Sequence, residues 1–186
     1  MTLGKYDKAM REFDARVRSV RPDQWHHATP CTEWDVRQLV KHLVVEQLWA
    51  PLLLEGATVD DVGDRFDGDQ LGEDPVAAWA SAATAAREAF AAPGALRRSV
   101  ELSYGRRPAE GYCQEMTMDL TVHTWDLARA IGADEQLDED LVSDVLAFIE
   151  PQVDQLVATG LFDPPIEVGD GAGTQTRLLA LLGRRE

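Results

Sequence analysis

Hydrophobic residues recur at spacings of three and four along most of the 186-residue chain, which is typical of amphipathic helices. This periodicity predicts long helices over residues 3–20, 32–49, 75–92, 110–131 and 138–157. Thr32 is expected to cap the second helix, and Pro51 is expected to end or kink it. Gly132 is placed to close the helix over 110–131. The pattern therefore indicates an all-α protein.

Two other segments depart from the helical pattern. Residues 55–74 are rich in glycine and aspartate and lack a clean period, which predicts a long surface loop. Residues 96–108 contain the short alternation Val100, Leu102 and Tyr104, which predicts a minor strand-like insert. We therefore expect a four-helix bundle in a single domain over residues 1–186, with a short C-terminal tail.

The net charge of the chain limits the kinds of molecule that it is expected to bind. The chain has 18 Lys and Arg residues against 33 Asp and Glu residues, so its formal charge is −15. Such a surface repels phosphate backbones and anionic lipid, which argues against nucleic acid and membrane as partners. There is no apolar run long enough to span a bilayer, and the charged N-terminus lacks the apolar core of a signal peptide. We therefore expect a cytoplasmic protein.

The candidate chemistry centres on three side chains. Asp119 and His123 are four residues apart within the apolar stripe of the helix over 110–131. A carboxylate and an imidazole directed toward a core are costly unless they meet a partner or a cation. His42 lies in another helix with apolar turns on both sides. In a bundle these side chains would give two nitrogens and one oxygen for a divalent metal, with a position left for water or substrate.

Glu46 follows His42 by one helical turn. It is a candidate fourth ligand, a base or an outer partner of a ligand, and an ordinary solvated glutamate is an equal alternative.

Three segments carry a resemblance to a known family. Residues 29–42, residues 119–130 and the ending 177–184 resemble the actinobacterial DinB-like family that is related to mycothiol-dependent maleylpyruvate isomerase. The resemblance implies a DinB/YfiT-like four-helix bundle and a divalent metal bound by three protein ligands. It assigns those ligands to His42, Asp119 and His123. Asp119 stands where the isomerase branch has a glutamate, so its carboxylate is one methylene shorter, and the fold by itself is not evidence for the isomerase reaction.

The resemblance also implies a function. It points to a divalent-metal-dependent enzyme whose substrates are a small-molecule thiol and an electrophile, through mycothiol-type S-transfer or isomerisation. Zinc is the first choice of metal, with nickel, iron and manganese as alternatives. The reacting group would be metal-bound water or a thiolate. The alternatives are a non-catalytic protein that binds a metal or small molecule, and a structural metal that joins the helices.

Other side chains receive less specific interpretations. Cys31, just before the second helix, is interpreted as a packed cysteine rather than a sensor of thiols. Asp126 and Arg129 are one turn apart and are interpreted as an exposed ion pair. Trp34 is expected in the core or in a pocket wall. An exposed apolar stripe on the C-terminal helix would allow a homodimer.

Overall fold

The computed structural model describes residues 2–158, 160 and 162–186. It confirms a mainly helical chain with one small antiparallel sheet. The α-helices are α1 (Thr2–Ser19), α2 (Val36–Glu55), α3 (Val59–Val62), α4 (Pro75–Ala91), α5 (Ala109–Ile131), α6 (Glu139–Ile149), α7 (Val153–Ala158) and α8 (Thr174–Leu181). The strands are β1 (Ser99–Leu102) and β2 (Gly105–Pro108). Within the described part of the chain, no helix is both long enough and apolar enough to cross a membrane.

The chain divides into two compact units, Met1–Asp134 and Glu135–Glu186. In the first unit, α2 packs against α4 and α1 packs against α5, and each pair also contacts the other. These four long helices are the bundle that the periodicity predicts. The prediction of a single domain over residues 1–186 remains a prediction.

Helix α5 is the most deeply buried element of the first unit. Leu120 and Leu127 are fully buried, as the apolar stripe requires. Its buried threonine hydroxyls donate to backbone carbonyls one turn earlier, so the helix carries polar side chains into the core without unpaired hydroxyls. Gly132 adopts a positive φ of 69° and ends the helix, as predicted.

The start and end of α2 differ from the predicted 32–49. Asp35, not Thr32, is the N-cap, because its carboxylate accepts the amide of Gln38 while the Gln38 side chain accepts the amide of Asp35. Residues 31–34 form a turn instead, closed by the Trp34 amide on the Cys31 carbonyl at 2.8 Å. Pro51 lies inside the helix, which continues to Glu55 and closes on Gly56 at φ 101°. The tertiary packing of α2 thus outweighs the loss of one amide donor.

The strand-like insert is a hairpin. β1 contains Val100 and Leu102 as predicted, and it pairs antiparallel with β2. The second strand was missed because Arg106 and Arg107 are exposed and show no alternation with apolar residues. Gly105, at φ 117°, makes the tight connection.

The loop over 55–74 contains the single short turn α3 and is otherwise irregular, as expected.

In the second unit, the helix predicted over 138–157 is interrupted. α6 ends at Ile149, a 3₁₀ turn spans Glu150–Gln152, and α7 follows. Pro151 lies in that turn, where a residue without an amide proton disrupts the α-helical ladder. The apolar side chains Leu178 and Leu179 of α8 are fully buried. The exposed stripe that suggested a homodimer is therefore absent from this helix.

Candidate metal centre

Helices α2 and α5 bring the three predicted ligands together. His42 donates from Nε2 to Oδ2 of Asp119 at 3.0 Å. Nε2 of His123 lies 3.2 Å from Oδ1 of Asp119, because residues four apart are stacked on one helix face. One donor atom from each of the three side chains lies within 4.8 Å of the other two. The sequence therefore predicted the convergence correctly, whereas metal binding at these residues stays a prediction.

The second nitrogen of His123 has its own partner. Nδ1 of His123 lies 2.9 Å from Oδ2 of Asp126, whose side chain is fully buried. A carboxylate only accepts hydrogen bonds, so Nδ1 donates to Asp126, and Nε2 of the protonated ring donates to Asp119 in the same way. The arrangement orients the ring so that Nε2 faces Asp119 and His42.

The interpretation of Asp126 as an exposed residue was wrong, because its side chain is fully buried, whereas its pairing with Arg129 stays a prediction. Its three-residue spacing from His123, between the apolar Trp125 and Leu127, was the signal that could have identified it.

The electrostatics of the cluster follow from burial and opposite charge. Burial alone raises the pKa of Asp119, but His42 and His123 together hold that pKa well below the usual carboxylate range. Burial alone lowers the pKa of His123, but the nearby Asp119, with hydrogen bonds to Asp119 and Asp126, raises it well above the ordinary imidazole value. Asp119 and His123 are thus held as an ion pair within the bundle.

Trp34 forms one wall of the cluster. Its ring lies 4.8 Å from the His42 ring and 5.8 Å from the His123 ring, measured between centroids, and is tilted to both. The turn that carries Trp34 is fixed by Thr29, whose hydroxyl donates to the Trp34 carbonyl at 2.8 Å. This matches the expectation of a pocket wall, and it restricts water on that side of the imidazoles.

Glu46 lies one turn beyond His42 on α2 and is partly buried. Burial, and next the charge of Asp119, raise the pKa of its carboxyl, while the two histidines lower it. The hydroxyl of Tyr112 is buried and has no hydrogen-bond partner among the described residues, and Glu46 exerts the largest electrostatic influence on its raised pKa after burial.

Cys31 was the residue that sequence reasoning undervalued. Its Sγ lies 3.4 Å from Oδ2 of Asp126 and 3.9 Å from Nδ1 of His123. The residue is only partly buried, whereas Cys113 is fully buried. Cys31 is therefore part of the cluster rather than a packing residue. The sequence carried no spacing signal for this contact, because 92 residues separate Cys31 from His123.

The donor set of His42, Asp119 and His123 fits a divalent transition metal. Two imidazole nitrogens and a carboxylate oxygen are ligands that zinc and its neighbours accept, and three protein ligands leave a position for a substrate. The buried carboxylate of Asp126 behind His123 is the outer partner that metal-binding histidines usually have. The contact between His123 and Asp126 is a separate observation from the convergence of the three proposed ligands, and it also fits a metal site.

Comparison with known proteins identifies the family of this chain. Residues 6–128 match the family described as the mycothiol maleylpyruvate isomerase N-terminal domain, and the chain belongs to this family. The match spans the helices that carry His42, Asp119 and His123, and it confirms the expected DinB-like all-α fold.

Two relatives in Mycobacterium tuberculosis are similar over most of the chain: the uncharacterized protein Rv0738 of strain ATCC 25618 / H37Rv and the uncharacterized protein MT0763 of strain CDC 1551 / Oshkosh. Each is 36% identical over 149 residues, which is 78% of this chain and 75% of the relative. No solved structure matches the chain.

Proposed function

We propose that this protein is a divalent-metal-dependent enzyme that uses a low-molecular-weight thiol of the mycothiol type, either to transfer sulfur to an electrophile or to isomerise it. The observation that carries the proposal is the convergence of His42, Asp119 and His123, with the buried Asp126 behind His123. The family match supports the thiol, because its description names mycothiol. Zinc is the proposed metal.

The proposed ligands and Asp126 have different roles toward the metal. His42 and His123 would each offer a ring nitrogen to the metal, and Asp119 offers the charge that balances part of a dication. Asp126 holds the proton of His123 on Nδ1, so Nε2 is the nitrogen that would give up its proton to bind the metal. A divalent cation held there supplies Lewis-acid activation, which lowers the pKa of a coordinated thiol or water toward neutrality.

The neighbouring residues bind and shield the reactants. Trp34 covers the imidazoles on one side and keeps bulk water from them. Glu46, one turn from His42, is the proposed acceptor of the thiol proton, which must leave before sulfur bonds to carbon. The Tyr112 hydroxyl, buried without a partner among the described residues, is available to donate to the electrophile.

The test compares the wild type with His42→Ala and His26→Ala, all purified without a metal-affinity tag. His26 is a matched control because its side chain is 80% exposed and it lies outside the cluster. We expect about one divalent cation per chain in the wild type by mass spectrometry. We expect consumption of mycothiol, with a panel of electrophiles, by the wild type and His26→Ala and none by His42→Ala.

Three outcomes would overturn the proposal. The first is wild-type protein that takes up no divalent metal even after reconstitution. The second is full turnover by His42→Ala. The third is saturable thiol binding without turnover across the whole panel, which would establish the non-catalytic binding protein instead.

A further inference from the structure

The other side of the His123 ring holds a second set of donors. Sγ of Cys31, Nδ1 of His123 and Oδ2 of Asp126 form a triangle with edges of 3.9, 3.4 and 2.9 Å. One face of a tetrahedral zinc site with one sulfur, one nitrogen and one oxygen has edges of about 3.3–3.6 Å, from the usual zinc–ligand bond lengths. A cation would be admitted by small shifts, in which the 2.9 Å edge between Nδ1 and Oδ2 lengthens and the 3.9 Å edge between Sγ and Nδ1 shortens.

We infer that Cys31, His123 and Asp126 form a second cation position, selective for thiophilic metals such as zinc, cobalt and cadmium. Its three donor atoms come from three different classes of ligand. A thiolate excludes magnesium and calcium and favours borderline and soft cations. Three protein ligands leave one position open, and the partial exposure of Cys31 gives a route from solvent.

The donors are held in place before any cation arrives. Asp126 and His123 lie on the buried face of α5, where their backbone is fixed by the helix. The Thr29 hydroxyl accepts the amide of Cys31 and donates to its carbonyl, both at 3.1 Å. A site supported by a helix and a hydrogen-bonded turn loses little entropy on binding a metal.

The two positions compete for His123. A neutral imidazole has one free lone pair, on Nε2 when the proton is on Nδ1 and on Nδ1 when the proton is on Nε2. A cation beside Cys31 therefore displaces the Nδ1 proton to solvent and leaves the ring proton on Nε2, where Asp119 accepts it at the 3.2 Å contact. The thiol proton of Cys31 is released to solvent as the thiolate binds. We therefore expect the two positions together to bind one cation per chain, because one nitrogen of His123 binds the cation while the other carries the ring proton.

The test uses His42→Ala, which removes one ligand of the first position and leaves the second complete. Cobalt added to this variant is expected to give a thiolate-to-cobalt charge-transfer band in the near ultraviolet. The band should be absent from the double variant His42→Ala, Cys31→Ser. It should persist in His42→Ala, Cys113→Ala, because Cys113 is the fully buried cysteine outside the cluster.

A second measurement uses the wild type, so the test does not depend on the folding of a variant. Cadmium is a soft cation that prefers the position with the thiolate, and at about 100 times its apparent dissociation constant for that position it should slow alkylation of Cys31 about 100-fold, in proportion to the free fraction. Absence of both the cobalt band and this protection would overturn the inference, as would a band that survives Cys31→Ser. The proposed function fails on different results, since it depends on His42, and the cobalt band is measured without His42.

Discussion

The contact between His123 and Asp126 gives the sharpest prediction, because one nearly isosteric change removes a charge and keeps the shape. Asp126→Asn is made in a Cys31→Ser background, so that only the position of His42, Asp119 and His123 is measured. Asp126 is fully buried and accepts from His123 at 2.9 Å. Outer partners of this kind usually contribute about 10–100-fold to metal affinity, which is about 1.4–2.7 kcal/mol.

The physical reason is the basicity and orientation of the His123 ring. A carboxylate that accepts from Nδ1 makes Nε2 a better ligand and fixes the tautomer, whereas a neutral amide accepts more weakly or donates to the wrong tautomer. Zinc affinity is measured by isothermal titration calorimetry with a competing chelator. We expect the dissociation constant to rise about 10–100-fold relative to Cys31→Ser alone.

Asp23→Asn in the same background is the matched control. It removes the same charge from a side chain that is 71% exposed and pairs with Arg21 at the surface. We expect its zinc affinity to stay within about twofold of the background, since exposed charges are screened. Equal affinities of the Asp126→Asn and Asp23→Asn proteins would refute the reasoning, provided that circular dichroism shows both to be folded.

Three further predictions address reactivity and stability. Burial raises the pKa of the Cys113 thiol to about 12, so iodoacetamide at neutral pH should label Cys31 first, as read by peptide mass spectrometry; faster labelling of Cys113 would contradict this. Leu120→Ala, at a fully buried position of α5, should lower the free energy of unfolding by about 2–5 kcal/mol in urea titrations. Gly132→Ala should destabilise by about 1–2 kcal/mol because φ is positive there, whereas Gly111→Ala, inside α5 with open space for a Cβ, should be neutral or stabilise; equal effects would argue against backbone strain.

Local sequence rules were sufficient for most of the helices in the first unit. The Gly132 stop of α5 and the proline at the first position of α4 are local signals, and both gave correct boundaries. The errors at the two ends of α2, the cap at Thr32 and the end at residue 49, have one cause. Each required a choice between local options, such as two possible caps or a break and a continued helix, which the packing of α2 against its neighbours decides.

The sequence by itself determined the bundle, through its hydrophobic period, and it determined which three side chains meet. Asp119 and His123 were fixed by helical spacing, and His42 by its apolar surroundings and by a resemblance between motifs. The tertiary structure revealed Cys31 as a partner of His123, and it showed that Asp126, on the same helix as His123, is buried against that ring. The reason is physical: periodicity reports which face of a helix is buried, whereas the contact with Cys31 depends on which loop folds over that face. A turn that is 92 residues away in sequence supplies the Cys31 thiol, and no local pattern encodes that distance.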